Sequence, residues 1–176
     1  MCSMNHSMST IRNATLVVAI VIGGSGVMPP ARASIGDLAI NGRYTATSLG
    51  NWAKTNESFH DEATVKSTWT LSSSCSTAQD CTGQVTSDQG WSAPLYTHDG
   101  QMFVVKHDVP NWETCADGTS VTGHQVFTFV PVDADGNTVT VSSTLAGWDK
   151  TVGPSGACRT NKWLVIEMPF RLDQTS

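Results

Sequence analysis

From residue 38 to residue 170 apolar and polar side chains alternate in short runs, and each run stops at a cluster of turn-forming residues. A period of two puts every second side chain on one face of a strand, so the pattern reads as a series of half-buried strands. Leu38, Ile40, Tyr44 and Ala46 alternate with Ala39, Arg43, Thr45 and Thr47. Val65, Ser67, Trp69 and Leu71 share a face of the next run, which leads into Cys75. Between these two, residues 48 to 63 keep no clean period and read as a loop with at most one short helical stretch after Asn51. Cys81 to Ser87 returns with Val85 inward, Trp91 to Thr97 is a weak strand broken by Pro94, and Met102 to Val109 is apolar until Pro110-Asn111 stops it.

The second half follows the same rule. Val121 to Val132 sets Val126, Thr128 and Val130 against Phe127 and Phe129, and bulk on both faces marks a central strand. Asp133-Ala-Asp-Gly136 signals a hairpin to a strand over Asn137 to Leu145, with Val139, Val141 and Leu145 alternating. Gly147 to Asn161 then reads as a Gly/Pro-rich loop. In the last strand Leu164, Ile166, Met168 and Phe170 face one way and Trp163, Val165 and Glu167 the other. About eight or nine short strands without a long helical period predict an all-β antiparallel domain, a barrel or a sandwich.

Residues 1 to 33 stand outside this pattern. Arg12, the apolar run Ala14 to Ile22 and the Ala31-Arg32-Ala33 site read as a cleaved signal peptide, leaving residues 34 to 176 as one secreted β domain. The apolar run breaks at Gly23-Gly24-Ser25-Gly26, short of the roughly 20 residues that span a bilayer, so no membrane insertion is expected after cleavage. The formal net charge of −5 becomes more negative once Arg12 and Arg32 leave. An acidic chain with no basic cluster argues against nucleic acid and anionic lipid as partners.

Export changes the meaning of Cys75, Cys81, Cys115 and Cys158, because disulfides persist outside the cytosol. Three connectivities are open. Cys75 with Cys81 and Cys115 with Cys158 is favoured, since Ser76 to Asp80 is a short polar turn able to join two strand ends. A zinc site would ordinarily use a closer cysteine pair than the C-x5-C found here.

The order Gly42-Arg-Tyr44, Trp69-Thr-Leu-Ser-Ser-Ser-Cys75, Cys81-Thr-Gly-Gln-Val85, Asp99-Gly100, Trp112-Glu-Thr-Cys115-Ala-Asp-Gly-Thr119 and Ser155-Gly-Ala-Cys158 resembles a small extracytoplasmic β-rich module of mycobacteria. That module occurs as free secreted proteins and, in similar form, as the outer part of some membrane-anchored Ser/Thr protein kinases. The resemblance implies an exported domain of unassigned activity and brings no catalytic or ligand residues with it. Arg159 stands where relatives commonly carry Gly.

Chemistry is sparse by comparison. Gly153-Pro-Ser155-Gly156 is similar to the nucleophile loop of serine proteases, with His60, His98 and His107 upstream, but Pro154 replaces that family's Asp. The pairs His60-Asp61, His98-Asp99 and His107-Asp108 chelate poorly, because neighbours on a strand point to opposite faces. Asp133-x-Asp135-Gly136-Asn137 imitates a calcium loop but has Thr144 where the Glu belongs. No cofactor or metal is expected. Of the six tryptophans, Trp52 and Trp148 sit in loop-like sequence and are the candidate contact residues. The reading is a non-catalytic binding module, secreted or held at the cell wall, for a protein or wall component. The alternatives are a barrel carrier of a small hydrophobic ligand or lipid and, behind it, a hydrolase using Ser155.

Overall fold

The computed structural model describes residues 35–175, so the signal-peptide segment 1 to 33 and Cys2 lie outside the described residues. Ten strands form one antiparallel sheet. They are β1 (Gly42–Ser48), β2 (Lys54–Thr55), β3 (Ser58–Phe59), β4 (Val65–Cys75), β5 (Cys81–Ser87), β6 (Ser92–Thr97), β7 (Phe103–Thr114), β8 (Ser120–Pro131), β9 (Thr144–Val152) and β10 (Val165–Thr175). Strands β1 and β4 to β10 pair in succession, and β1 pairs with β10 from Arg43↔Thr175 to Ser48↔Phe170. That last pairing closes an eight-stranded barrel and decides against a sandwich. The hairpin β2–β3 hangs from β10 through Thr55↔Ile166 and Lys54↔Glu167.

The alternation in the sequence sets which side chains fill the barrel. Tyr44 and Ala46 of β1, Trp69 and Leu71 of β4, Val85 of β5, Leu95 of β6, Val105 of β7 and Phe127 and Phe129 of β8 are buried, and their neighbours along each strand turn outward. The register lines these residues up across strands, with Tyr44↔Trp69, Leu71↔Val85, Leu95↔Val105 and Val105↔Phe127. Trp69 is the hub, with ring centroids 4.8 Å from Phe127 and 5.1 Å from each of Phe170 and Trp91. Each such aromatic pair adds about 0.5–1.5 kcal/mol beyond the apolar area it buries.

Among the described residues two disulfides fasten the ends. Cys75 and Cys81 are directly opposite in the β4–β5 register and bonded to each other. The Cys115–Cys158 bond ties the turn between β7 and β8 to a short 3-10 turn, Ala157–Arg159, ahead of β10. In that turn Cys158 (φ 53°) and Arg159 (φ 60°) are both left-handed.

Several sequence expectations need correction: the first strand starts at Gly42, with Leu38 in a 3-10 turn, and residues 48 to 63, read as a loop, also carry β2 and β3. Pro94 does not break β6, because its ring faces outward and the strand stays in register through Gln84↔Pro94. Pro110-Asn111 does not end β7, since a bulge with Asn111 at φ 54° shifts the register between Val109 and Glu113 and pairing resumes. Asn137 to Ser143 is not a regular strand. After the Val132↔Thr138 bridge the chain loops out, with Ser142 Oγ donating to the Val132 carbonyl (2.6 Å), and returns when Val132 N donates to Thr144 O. The strand is instead Thr144–Val152, so Gly147, Trp148 and Asp149, expected in a loop, lie in the barrel wall. Gly147 is an inward position opposite both Phe129 and Phe170, and a Cβ there would stand 1.9 Å from the Thr128 carbonyl oxygen.

Candidate functional site

At the end of the barrel where β1 stops and β4 begins, the inward side chains change character. Ser48, Ser67, Gln125, Asp149 and Thr151 replace the packed hydrocarbon found deeper in, and a cavity of about 270 Å³ opens between them and the rings of Trp69, Trp91, Phe127 and Phe170. Val65, Gln89 and Trp112 stand at its rim. The chain from Leu49 to Thr64 crosses beside this opening. It is anchored where Gly50 N donates to Thr64 Oγ1 and Glu62 N donates to Gly50 O, a contact so close that a Cβ on Gly50 would stand 2.1 Å from the Glu62 carbonyl oxygen.

Asp149 is the polar centre. Register places it between Phe127 and Met168, and it is 1% exposed. Ser48 Oγ donates to Oδ2 at 2.6 Å and Gln125 Nε2 donates to Oδ1 at 2.7 Å. Both partners are neutral, and none of the ion pairs among the described residues involves Asp149. Burial pushes its carboxyl above the usual carboxylate range, while the bonds from Ser48 and Gln125 and the charge on His107 act the other way. Trp91 stacks on the His107 ring at 4.0 Å and meets Trp69 in a T-shaped contact at 5.1 Å. Two buried polar atoms beside it, Trp69 Nε1 and His107 Nε2, have no hydrogen-bond partner among the described residues. Buried donors and acceptors are rarely left so.

The tryptophans expected to make contacts lie elsewhere. Trp52 ends a 3-10 turn, Gly50–Trp52, and is 59% exposed. Trp148 is on the outer face of β9 and is 45% exposed beside a shallow groove lined by Met102, Val130 and Val132. Neither lines the cavity. Ser155 is exposed in a turn, and the histidines near it in the sequence argument are engaged locally: His60 with Glu62, His98 with Asp80 and His107 with the Asp108 carbonyl. Asp133 accepts bonds from the amides of Asp135 and Asn137 and so closes its own turn. Among the described residues no three His, Cys, Asp or Glu side chains gather as metal ligands.

Asp149 and Gln125 escaped sequence reasoning. Gly147-Trp-Asp149 has the composition of a turn, and only the phase of Leu145, Gly147, Asp149 and Thr151 would have shown an acid on the inward face. A larger hollow of about 590 Å³ on the outside of β9 and β10, lined by Lys54, Lys150, Lys162 and Trp163, is an open surface feature whose Lys150 already lies 3.7 Å from Glu167.

The fold defines the class first: a small, disulfide-bonded, closed antiparallel barrel. No family model matches the chain, and no curated protein does. Among solved structures it is similar to the monomer form of the M. tuberculosis PknI sensor domain, with a TM-score of 0.52 and 14% identity over 78% of this chain and 88% of that one. Identity that low carries the fold alone.

Proposed function

We propose that the protein is a secreted, non-catalytic binding module that takes a small ligand into the mouth of its barrel. One observation carries this reading: an aromatic-walled cavity holds a buried carboxylate whose hydrogen-bond partners among the described residues, Ser48 and Gln125, are both neutral. Ligand pockets have this composition, mostly apolar with a few convergent polar groups. Two disulfides suit a compartment outside the reducing cytosol, in line with residues 1 to 33 acting as a cleaved signal. A neighbour in fold described as a sensor domain supports a binding role. The experiment is native mass spectrometry of protein purified from its host, joined to N-terminal sequencing of the secreted form. A bound small molecule and a start at Ser34 are expected. Protein that is empty, and whose tryptophan fluorescence responds to no added small molecule, would remove the reading.

A second reading rests on the exposed aromatics Trp52, Phe59, Trp148 and Trp163, which would contact a partner protein or wall component. Trp52→Ala and Trp148→Ala should then weaken sedimentation with isolated cell wall while leaving Tm unchanged. Equal sedimentation of all variants would exclude it.

A further inference from the structure

This inference rests on the barrel-mouth reading and specifies its ligand. We propose that the mouth takes a small organic cation, with its protonated nitrogen at the Asp149 carboxylate and its apolar part against the rings of Trp69, Trp91 and Phe127.

Asp149 has unused capacity as an acceptor. A carboxylate offers about four lone-pair sites. Ser48 and Gln125 occupy one on each oxygen, and among the described residues no Lys or Arg lines the cavity. His107, whose charge acts on Asp149, is stacked on Trp91 and is not part of the lining. A buried carboxylate without a cation is unfavourable, and the site is most improved by an entering group that supplies positive charge and N–H donors together.

The walls select in the same direction. Ring faces attract cations through the aromatic quadrupole, more strongly where water is excluded. Glu62 at the rim and the net charge of −5 draw cations toward the opening and repel anions. A neutral apolar ligand would fill the space but bring Asp149 no positive charge. The volume, about 270 Å³, lies just below the roughly 300–1,000 Å³ of pockets for drug-sized ligands, so the cation is small.

The test uses three compounds of nearly equal shape on the full chain at pH 7: benzylamine, benzyl alcohol and benzoate, followed by tryptophan fluorescence and calorimetry. Benzylamine should bind at least tenfold more tightly than benzyl alcohol, benzoate should be weakest, and Asp149→Asn should reduce benzylamine to the level of the alcohol. Alcohol or benzoate binding as tightly as the amine would overturn the cation assignment while leaving the barrel-mouth site standing. Saturable binding of none of the three would overturn both. The comparison of compounds needs no variant, so it decides the question even where Asp149→Asn fails to fold.

Discussion

Ser48 and Asp149 are 101 residues apart in sequence, yet the Ser48 hydroxyl donates to the Asp149 carboxylate at 2.6 Å inside the barrel. The bond reaches from β1 across β10 to β9, so it exists only when the barrel is closed. The polar centre of the mouth and the closure of the fold are therefore one event.

Asp149 should make stability fall with rising pH. Burial raises its folded carboxyl above the unfolded value, so the folded state holds its proton more tightly. Its contribution is most favourable below the ordinary carboxylate range and is lost as pH climbs through the raised value. Asp149→Asn removes that loss. Thermal melts from pH 3 to 7 should show the variant gaining on the parent as pH rises; parallel curves would mean that the carboxyl is not perturbed.

The turn around Cys158 invites one stabilising change. Arg159 is held at φ 60°, which costs an L-residue roughly 1–2 kcal/mol, while glycine gives back roughly 0.5–1 kcal/mol in chain entropy. The 3.7 Å contact of Arg159 with Asp117 is exposed and contributes little. Arg159→Gly should raise stability by about 0.5–1 kcal/mol, read from urea melts.

Gly147→Ala should have the opposite effect. The added methyl would meet the Thr128 carbonyl oxygen at 1.9 Å and the Phe129 Cα at 2.8 Å, both backbone atoms that cannot step aside. A loss of about 3 kcal/mol or more, or failure to accumulate folded protein, is expected in chemical denaturation.

The two disulfides should differ in weight. Chain-entropy arguments give about 4 kcal/mol for closing a loop as long as that of Cys115–Cys158 and about 2 kcal/mol for one as short as that of Cys75–Cys81. Urea midpoints of Cys115→Ala/Cys158→Ala and Cys75→Ala/Cys81→Ala should fall in that order.

Much of this architecture is written in the period-two pattern, because a barrel needs one buried face on every strand. Tyr44, Trp69, Val85 and Phe127 all point where their alternation put them. The pattern misled where an inward position is not apolar. Gly147 is small because the backbone of Thr128 and Phe129 lies against it, and Asp149 is polar because it faces the mouth, so β9 carried the composition of a loop. Strand-breaking residues misled for the reverse reason: Pro94 faces outward, and Pro110 adjoins a bulge. The tryptophans of the mouth could not be told from those of the surface, since the alternation of a strand does not say how deep in the barrel an inward ring lies.

The small β2–β3 hairpin has a consequence for solubility. β1 covers β10 only from Phe170 onward, and without β2 the backbone around Ile166 and Glu167 would present an unpaired edge to any passing chain. β2 occupies that edge, and the rim it leaves is β3, two residues long, reached through Asn56 and Glu57 in left-handed conformation. So short a template offers little for strand addition at that edge.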